Sequence, residues 1–286
     1  MKQLNYSDYG LTVSANRVFL QRILYSLAIV SFLLSFHFNI LVSQIGHNPL
    51  PDQDADPVYL LLMITGLAEF VSGTGAAYIE ILMLVCCIGS VIWPVKRFFP
   101  TVFLILYFLY FITYNMVAGH HYTNVGLLVM AVPFVFASSR FVAVFTFCRF
   151  FFCFMMVTAA CWKIARGNLW HPDQTGMLLI NTSLQSLISG DPNWHTEMVR
   201  WLVNHKAVAH LIWVFLIFIE SLFLFGFISL KWDRSLFIAY ILFFTGGWFL
   251  FNIYNFENLL FLLTLTPVLR CIQRWNHRHP SVASAL

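Results

Sequence analysis

Residues Phe98 to Met116 read FFPTVFLILYFLYFITYNM, an apolar run without a charged side chain. A helix of about 20 such residues crosses the roughly 30 Å hydrocarbon core of a bilayer. Lys96 and Arg97 stand just before the run, and the polar Gly119-His120-His121-Tyr122 follows it. That flanking pattern predicts a membrane-spanning helix.

The same pattern repeats along the chain. Apolar runs near Ile23–Leu41, Ala76–Trp93, Phe98–Met116, Val125–Ala137, Phe141–Cys161, Ala209–Leu230, Leu236–Phe251 and Phe256–Leu269 predict about eight spans. The fourth and the last are short, and are expected to be tilted, broken or fused with neighbours. Val58–Phe70 is apolar but too short to cross, and reads as a half-helix or a cap at the outer face. The predicted fold class is all-α, a polytopic transmembrane helical bundle.

Composition agrees. The chain is 60% hydrophobic and 10% charged, against roughly a quarter charged in soluble domains. Too few charges remain to coat a water-facing surface. Cys86, Cys87, Cys148, Cys153, Cys161 and Cys271 fall mostly in apolar runs, and none makes a C-x-x-C pair. That pattern argues against a disulfide framework, a zinc site and a thiol redox site. The segment before the first run is polar through Tyr9, carries Arg17 and Arg22, and shows no small-residue cleavage pattern. A retained first helix is expected rather than a cleaved signal peptide.

The net charge of +4 follows membrane topology, and no nucleic-acid partner is expected. Lys2, Arg17, Arg22, Lys96, Arg97, Arg140, Arg149, Lys231, Arg234, Arg270, Arg274 and Arg278 all fall on one side of the predicted spans. The positive-inside rule makes that side the cytoplasm, with both termini inside. Ser43–Pro57 carries Asp52, Asp54 and Asp56 but no Lys or Arg. The long outer loop Lys163–Lys206 breaks the pattern with Lys163, Arg166, Arg200 and Lys206. Its Trp170, Trp194 and Trp201 suit an interface. Gln174–Ser189 and Trp194–His205 are expected to be amphipathic helices lying on the outer face. Residues 1–270 thus form one transmembrane domain, with the outer loop at 163–206, and residues 271–286 a short basic cytoplasmic tail.

Lys163 ends the fifth span. Desolvation there disfavours the charged ammonium, and a neutral amine can act as a base. The alternative is ordinary snorkelling to the headgroups. His120 and His121 lie on the same predicted face, either as a reactive turn or as a merely polar one. No H-E-x-x-H or other sharp metal motif occurs. Glu80 and Glu220 lie inside apolar runs, where acids default to functional candidates. Each is expected to be protonated or paired with an interior donor such as His37 or His210. Glu69, Asn252, Asn255 and Glu257 are weaker candidates near the outer face. The abundant aromatics suit packing and lipid contact, and would also suit a flat apolar ligand such as a quinone.

Two segments resemble the transmembrane part of vitamin K-dependent gamma-carboxylases and their horizontally transferred transmembrane (HTTM) relatives. Gly119-His120-His121-Tyr122-Thr123-Asn124-Val125-Gly126-Leu127-Leu128 resembles the family's His-containing outer turn and selects His121. Arg149-Phe150 through Lys163, then Gly167 and Trp170, resembles the helix that ends in the family's lysine. Phe251-Asn252-Ile253-Tyr254-Asn255 resembles a later segment, with Asn252 where the family has a histidine. The Lys163-to-Trp170 interval is longer than usual, and nothing in the sequence resembles the family's large lumenal β-rich domain.

The resemblance implies Lys163 as the base that deprotonates a quinol, and His121 as its partner. Trp162, Trp170, Glu220, His120 and Asn252 would line or tune the cofactor site. The implied cofactor is a quinol-type lipid, menaquinol or vitamin K hydroquinone-like. The implied chemistry is oxygen-dependent, of the epoxidation and carboxylation type, which is a lyase-like activity. Expected partners are membrane lipids and a peptide or protein substrate; no oligomeric state follows. Two rival expectations stand beside this one. The chain could be a non-catalytic membrane partner for maturation or export of a co-produced peptide or protein. It could also be a small transporter using Glu80 and Glu220, though no inverted repeat is visible.

Overall fold

The computed structural model describes residues 13, 16–45, 57–118, 125–189, 193–251 and 256–278, and among these every regular element is helical. The α-helices are α1 (Arg17–His37), α2 (Val42–Ile45), α3 (Pro57–Ile64), α4 (Leu67–Ser72), α5 (Ala76–Ile92), α6 (Phe98–Ala118) and α7 (Val125–Val135). They continue with α8 (Ser138–Ala165), α9 (Pro172–Ser189), α10 (Trp194–Asn204), α11 (Lys206–Ser221), α12 (Asp233–Phe251) and α13 (Thr266–Arg278). Tighter 3-10 segments cover Leu222–Phe227, Leu230–Trp232 and Phe256–Thr264.

Among the described residues, five segments are long and apolar enough to cross a membrane: Arg17–Ile45, Phe98–Asn115, Ser138–Ala165, Lys206–Phe227 and Leu230–Phe251. Phe256–Thr264 and Thr266–Arg274 reach that length only together, and they bend by 73°. Pro267 explains the break. It stands in the first turn of α13, where a missing backbone N–H costs no helical hydrogen bond, and it cannot donate back to the preceding segment. Ala76–Ile92 and Val125–Val135 are apolar but shorter. Each of the eight expected apolar runs therefore has a counterpart, five at full length. The expected short piece at Val58–Phe70 is two helices, α3 and α4, parted at Gly66 with φ of 71°. The expected tail boundary at residue 270 falls inside α13, so the helix continues into the tail.

Both faces of the longer helices are apolar, the exposed one as well as the buried one. On α5, Glu80, Met83, Cys87 and Ser90 are buried, while Tyr78, Ile81, Leu82, Val85 and Ile92 are exposed. On α11, Trp213, Leu216 and Glu220 are buried, while Leu211, Phe215 and Phe218 are exposed. A water-soluble helix would carry polar and charged side chains on its exposed face. Helices that face lipid outward gain little from hiding apolar groups, and associate through close packing and internal hydrogen bonds instead.

The chain divides into two compact units. The first comprises Asn5–Cys148, Asn255–Thr264 and Val268–Leu286, the second mainly Arg149–Tyr254 and Leu265–Pro267. In the first, α1 packs on α5, α6 packs on α5 and α7, and Phe256–Thr264 packs on α7 and α1. Fully buried Tyr25 meets Phe103 edge-on at 5.4 Å between ring centres. Gly126 permits the closest approach: a Cβ there would lie 2.4 Å from the Glu257 carbonyl oxygen. Its N–H donates to Asn258 Oδ1 at 2.9 Å. In the second unit, α11 packs on α9 and α12, and α9 on α10. Phe152 anchors its core, edge-on to Phe223 at 5.0 Å and to Tyr240 at 4.8 Å.

Candidate functional site

Helix α8 ends where the site begins. Gly167 adopts φ of +79°, a left-handed conformation that glycine takes without steric cost. The N–H of Asn168 then donates to the Lys163 carbonyl at 3.0 Å, and that of Gly167 to the Ile164 carbonyl at 2.9 Å. This closing turn satisfies carbonyls left over at the helix end. It also fixes Lys163 in the last turn, where the helix dipole favours a cation.

Lys163 Nζ donates to Glu220 Oε1 at 2.6 Å. The glutamate side chain is 1% exposed and the lysine 21%. Glu220 lies in the last turn of α11, two turns beyond Trp213. The ammonium sits 4.8 Å from the Trp213 ring centre and 5.6 Å from that of Phe243. Aromatic faces attract a cation at these distances. Neither a buried carboxylate nor a buried ammonium is tolerable alone in an apolar bundle, and together they offset each other. The lysine is therefore one half of an ion pair, where the sequence suggested a solitary amine. His210 does not serve Glu220; its Nε2 lies 3.0 Å from the Leu169 carbonyl. Two polar atoms beside the pair have no hydrogen-bond partner among the described residues: Glu220 Oε2 and Trp213 Nε1, both buried.

A cleft of about 430 Å³ opens beside the pair, lined by Trp162, Lys163, Arg166, Gln174, Asn181 and Trp213 among others. Arg166 caps the Trp162 ring at 4.4 Å. Gln174, Met177 and Asn181 come from one face of α9, the helical periodicity expected of an amphipathic helix. Lys206 tethers α9 through Asp173 at 2.6 Å. That hydrogen bond and the lysine's charge hold the Asp173 carboxyl below its usual range. The tether thus acts above the normal carboxylate range and is lost as pH falls through the lowered value. Both partners are well exposed, so it is a weak latch.

Trp162 lines the cleft. Trp170 is exposed and is not among the lining residues. His120, His121 and Asn252 lie outside the described residues.

The partners of several buried polar groups escaped sequence reasoning. Arg149, taken there as a cytoplasmic marker, is fully buried. Its Nη2 donates to Asp233 Oδ1 at 2.6 Å and its Nη1 to the Gly226 carbonyl at 2.7 Å. The Thr266 N–H closes on Asp233 Oδ2 at 2.9 Å. Glu80 pairs with neutral donors and not with His37: Ser43 N–H at 3.1 Å, Ser43 Oγ at 2.6 Å and the Tyr110 hydroxyl at 3.2 Å. Glu257 is buried, and accepts from Tyr107 and from Ser31 Oγ. An acid inside an apolar run was the available signal for Glu80. Arg149 carried the same signal and was read only for topology. Among the described residues, no group of three His, Cys, Asp or Glu side chains is placed to hold a metal ion. Comparison with protein-family models, curated proteins and solved structures gave no match.

Proposed function

We propose that this chain is a multi-pass integral membrane enzyme whose Lys163–Glu220 pair takes a proton from the hydroxyl of a flat, apolar ligand in the adjoining cleft. The proposed topology has about eight spans, both termini on the cytoplasmic side, and α9 and α10 at the outer face. One observation carries the functional reading. A partly exposed ammonium at the cleft wall is hydrogen-bonded to a buried carboxylate whose second oxygen has no partner. Lys163 passes a proton to Glu220 Oε1 and accepts the ligand's hydroxyl proton in its place, leaving the pair with one more positive charge. The Trp213 and Phe243 faces favour that charge.

The dimensions fit a quinol-type lipid. Ligand clefts commonly span about 300–1,000 Å³ with mostly aromatic and apolar walls. The indole rings of Trp162 and Trp213 would hold the flat head, and Gln174 and Asn181 would orient its oxygens. A menaquinol or vitamin K hydroquinone-like cofactor, when bound, supplies reducing power toward oxygen and through it a strong base for carboxylation-like chemistry. His121, with His120, Trp170 and Asn252, enters this reading only through the family resemblance. The test is oxygen-dependent oxidation of reduced quinone by the reconstituted protein. Lys163→Ala should abolish it while insertion and folding persist, and Glu220→Gln should slow it by about 10²- to 10⁴-fold. Full turnover in Lys163→Ala would sink the assignment.

A second reading has its own support. Trp170, just before α9, and Trp194 and Trp201 on α10 are all exposed, which suits a surface for a maturing or exported peptide. There, Lys163→Ala would leave the peptide's maturation intact, while charged replacements at Trp194 and Trp201 would stop it.

A further inference from the structure

The first unit contains a second set of buried ionisable groups, made of none of the residues around Lys163. Glu80 on α5 and Glu257 on the Phe256–Thr264 segment are both buried. Each accepts a hydrogen bond from a tyrosine of α6, Tyr110 for Glu80 and Tyr107 for Glu257. The two phenol rings lie one turn apart on one face of α6, stacked at 6.3 Å between centres. Both line a cavity of about 20 Å³, together with Tyr114, Glu257, Ser35 and apolar neighbours. A cavity of about 10–15 Å³ on this measure holds one water, provided two to four polar groups surround it. The hydroxyls of Tyr107, Tyr110 and Ser35 and the Glu257 carboxyl meet that condition.

Among the described residues, the partners of the two carboxyls are neutral. Helix α1 contributes Ser31 to Glu257, and α2 contributes Ser43 to Glu80. Cys86 and Cys87 on α5 and Tyr114 on α6 are titratable groups near the set. Helix α7 brings the backbone of Gly126 against Glu257 and Asn258 and has no titratable side chain. Among the described residues, no Lys, Arg or His forms an ion pair with either carboxylate. A purely structural acid in an apolar bundle is normally tied to a cation, as Asp233 is to Arg149. Two acids joined instead through phenols and a water-sized cavity have the alternating donor–acceptor order along which a proton can hop.

We propose that Glu80, Tyr110, one water in this cavity, Tyr107 and Glu257 form a proton-transfer chain. The Glu80 carboxyl gives its proton to the Tyr110 oxygen, and Tyr110 gives its phenolic proton to the water. The water gives one to Tyr107, and Tyr107 gives its own to Glu257. The Tyr110, water and Tyr107 oxygens each break one O–H bond as they form another, Glu80 only loses one and Glu257 only gains one, so one proton moves from Glu80 to Glu257 and one negative charge moves back. The phenolic O–H groups need only rotate, with no heavy-atom displacement.

Infrared titration of the full-length protein in nanodiscs tests this by following the carboxyl bands of Glu80 and Glu257. Glu257→Gln should move the Glu80 midpoint by about one pH unit, the mark of coupled sites. In a Tyr107→Phe/Tyr110→Phe background that coupling should vanish, and deuterium exchange at the Glu257 carboxyl should slow about tenfold or more, a barrier increase of about 1.4 kcal/mol. An unmoved Glu80 midpoint in Glu257→Gln would overturn the proposal. So would coupling that survives the double phenylalanine change, since that is through-space repulsion alone. Should Glu257→Gln fail to insert, the exchange rate in Tyr107→Phe alone decides, and an unchanged rate rejects the chain.

Discussion

A guanidinium survives inside an apolar bundle only when its donors meet acceptors, and Arg149 meets them in Asp233 and the Gly226 carbonyl. Asp233 is closed in turn by the Thr266 N–H. Such a pair is a staple. Arg149→Met should cost about 3–5 kcal/mol by leaving a buried carboxylate unpaired, whereas Arg149→Met with Asp233→Leu should recover most of that loss. Thermal unfolding in one detergent measures both. The Lys163–Glu220 pair differs in that Glu220 Oε2 has no partner among the described residues and Lys163 borders a cleft. Lys163 was legible because a lysine at the end of an apolar run has few roles. Arg149 was misread because its partner stands 84 positions later, and nothing local distinguishes a buried arginine from one at the membrane edge.

At the scale of elements, helix crossings in lipid depend on small residues at contact points. Gly126 is such a point, with backbone of the Phe256–Thr264 segment where a Cβ would go. Gly176 on α9 has open space at the same position. Gly126→Ala is therefore expected to destabilise by about 1–3 kcal/mol through overpacking. Gly176→Ala should stabilise by up to about 1 kcal/mol, because alanine is the better helix former. Unfolding midpoints of the two variants, measured side by side, should move in opposite directions. Helix existence was plain from apolar periodicity, and α9 and α10 fall close to their expected bounds. The 73° break in the last segment was open until packing showed that Asp233 receives the Thr266 N–H at that bend.

Over the whole molecule, basic residues in short loops set orientation. The expected outcome is that, in a Cys161→Ser background, Cys271, native and exposed on α13, reacts with a membrane-impermeant maleimide only from the cytoplasmic side. A cysteine placed at Asp173 in a Cys161→Ser/Cys271→Ser background should react only from the outer side. Labelling of both from one side would reject the proposed topology. Hydropathy over windows of about 20 residues is a local property, so the sequence alone determined that the described residues form helices, with apolar runs long enough for a bilayer. It also marked Lys163 and the two intramembrane acids, because a charge in an apolar run is conspicuous wherever it falls. Partner choice is not local. Only the tertiary structure decided that Glu220 meets Lys163, that Asp233 meets Arg149, and that Glu80 and Glu257 each meet a tyrosine of α6. Those pairings depend on which helix faces come within hydrogen-bond reach, and residues far apart in the chain set them together.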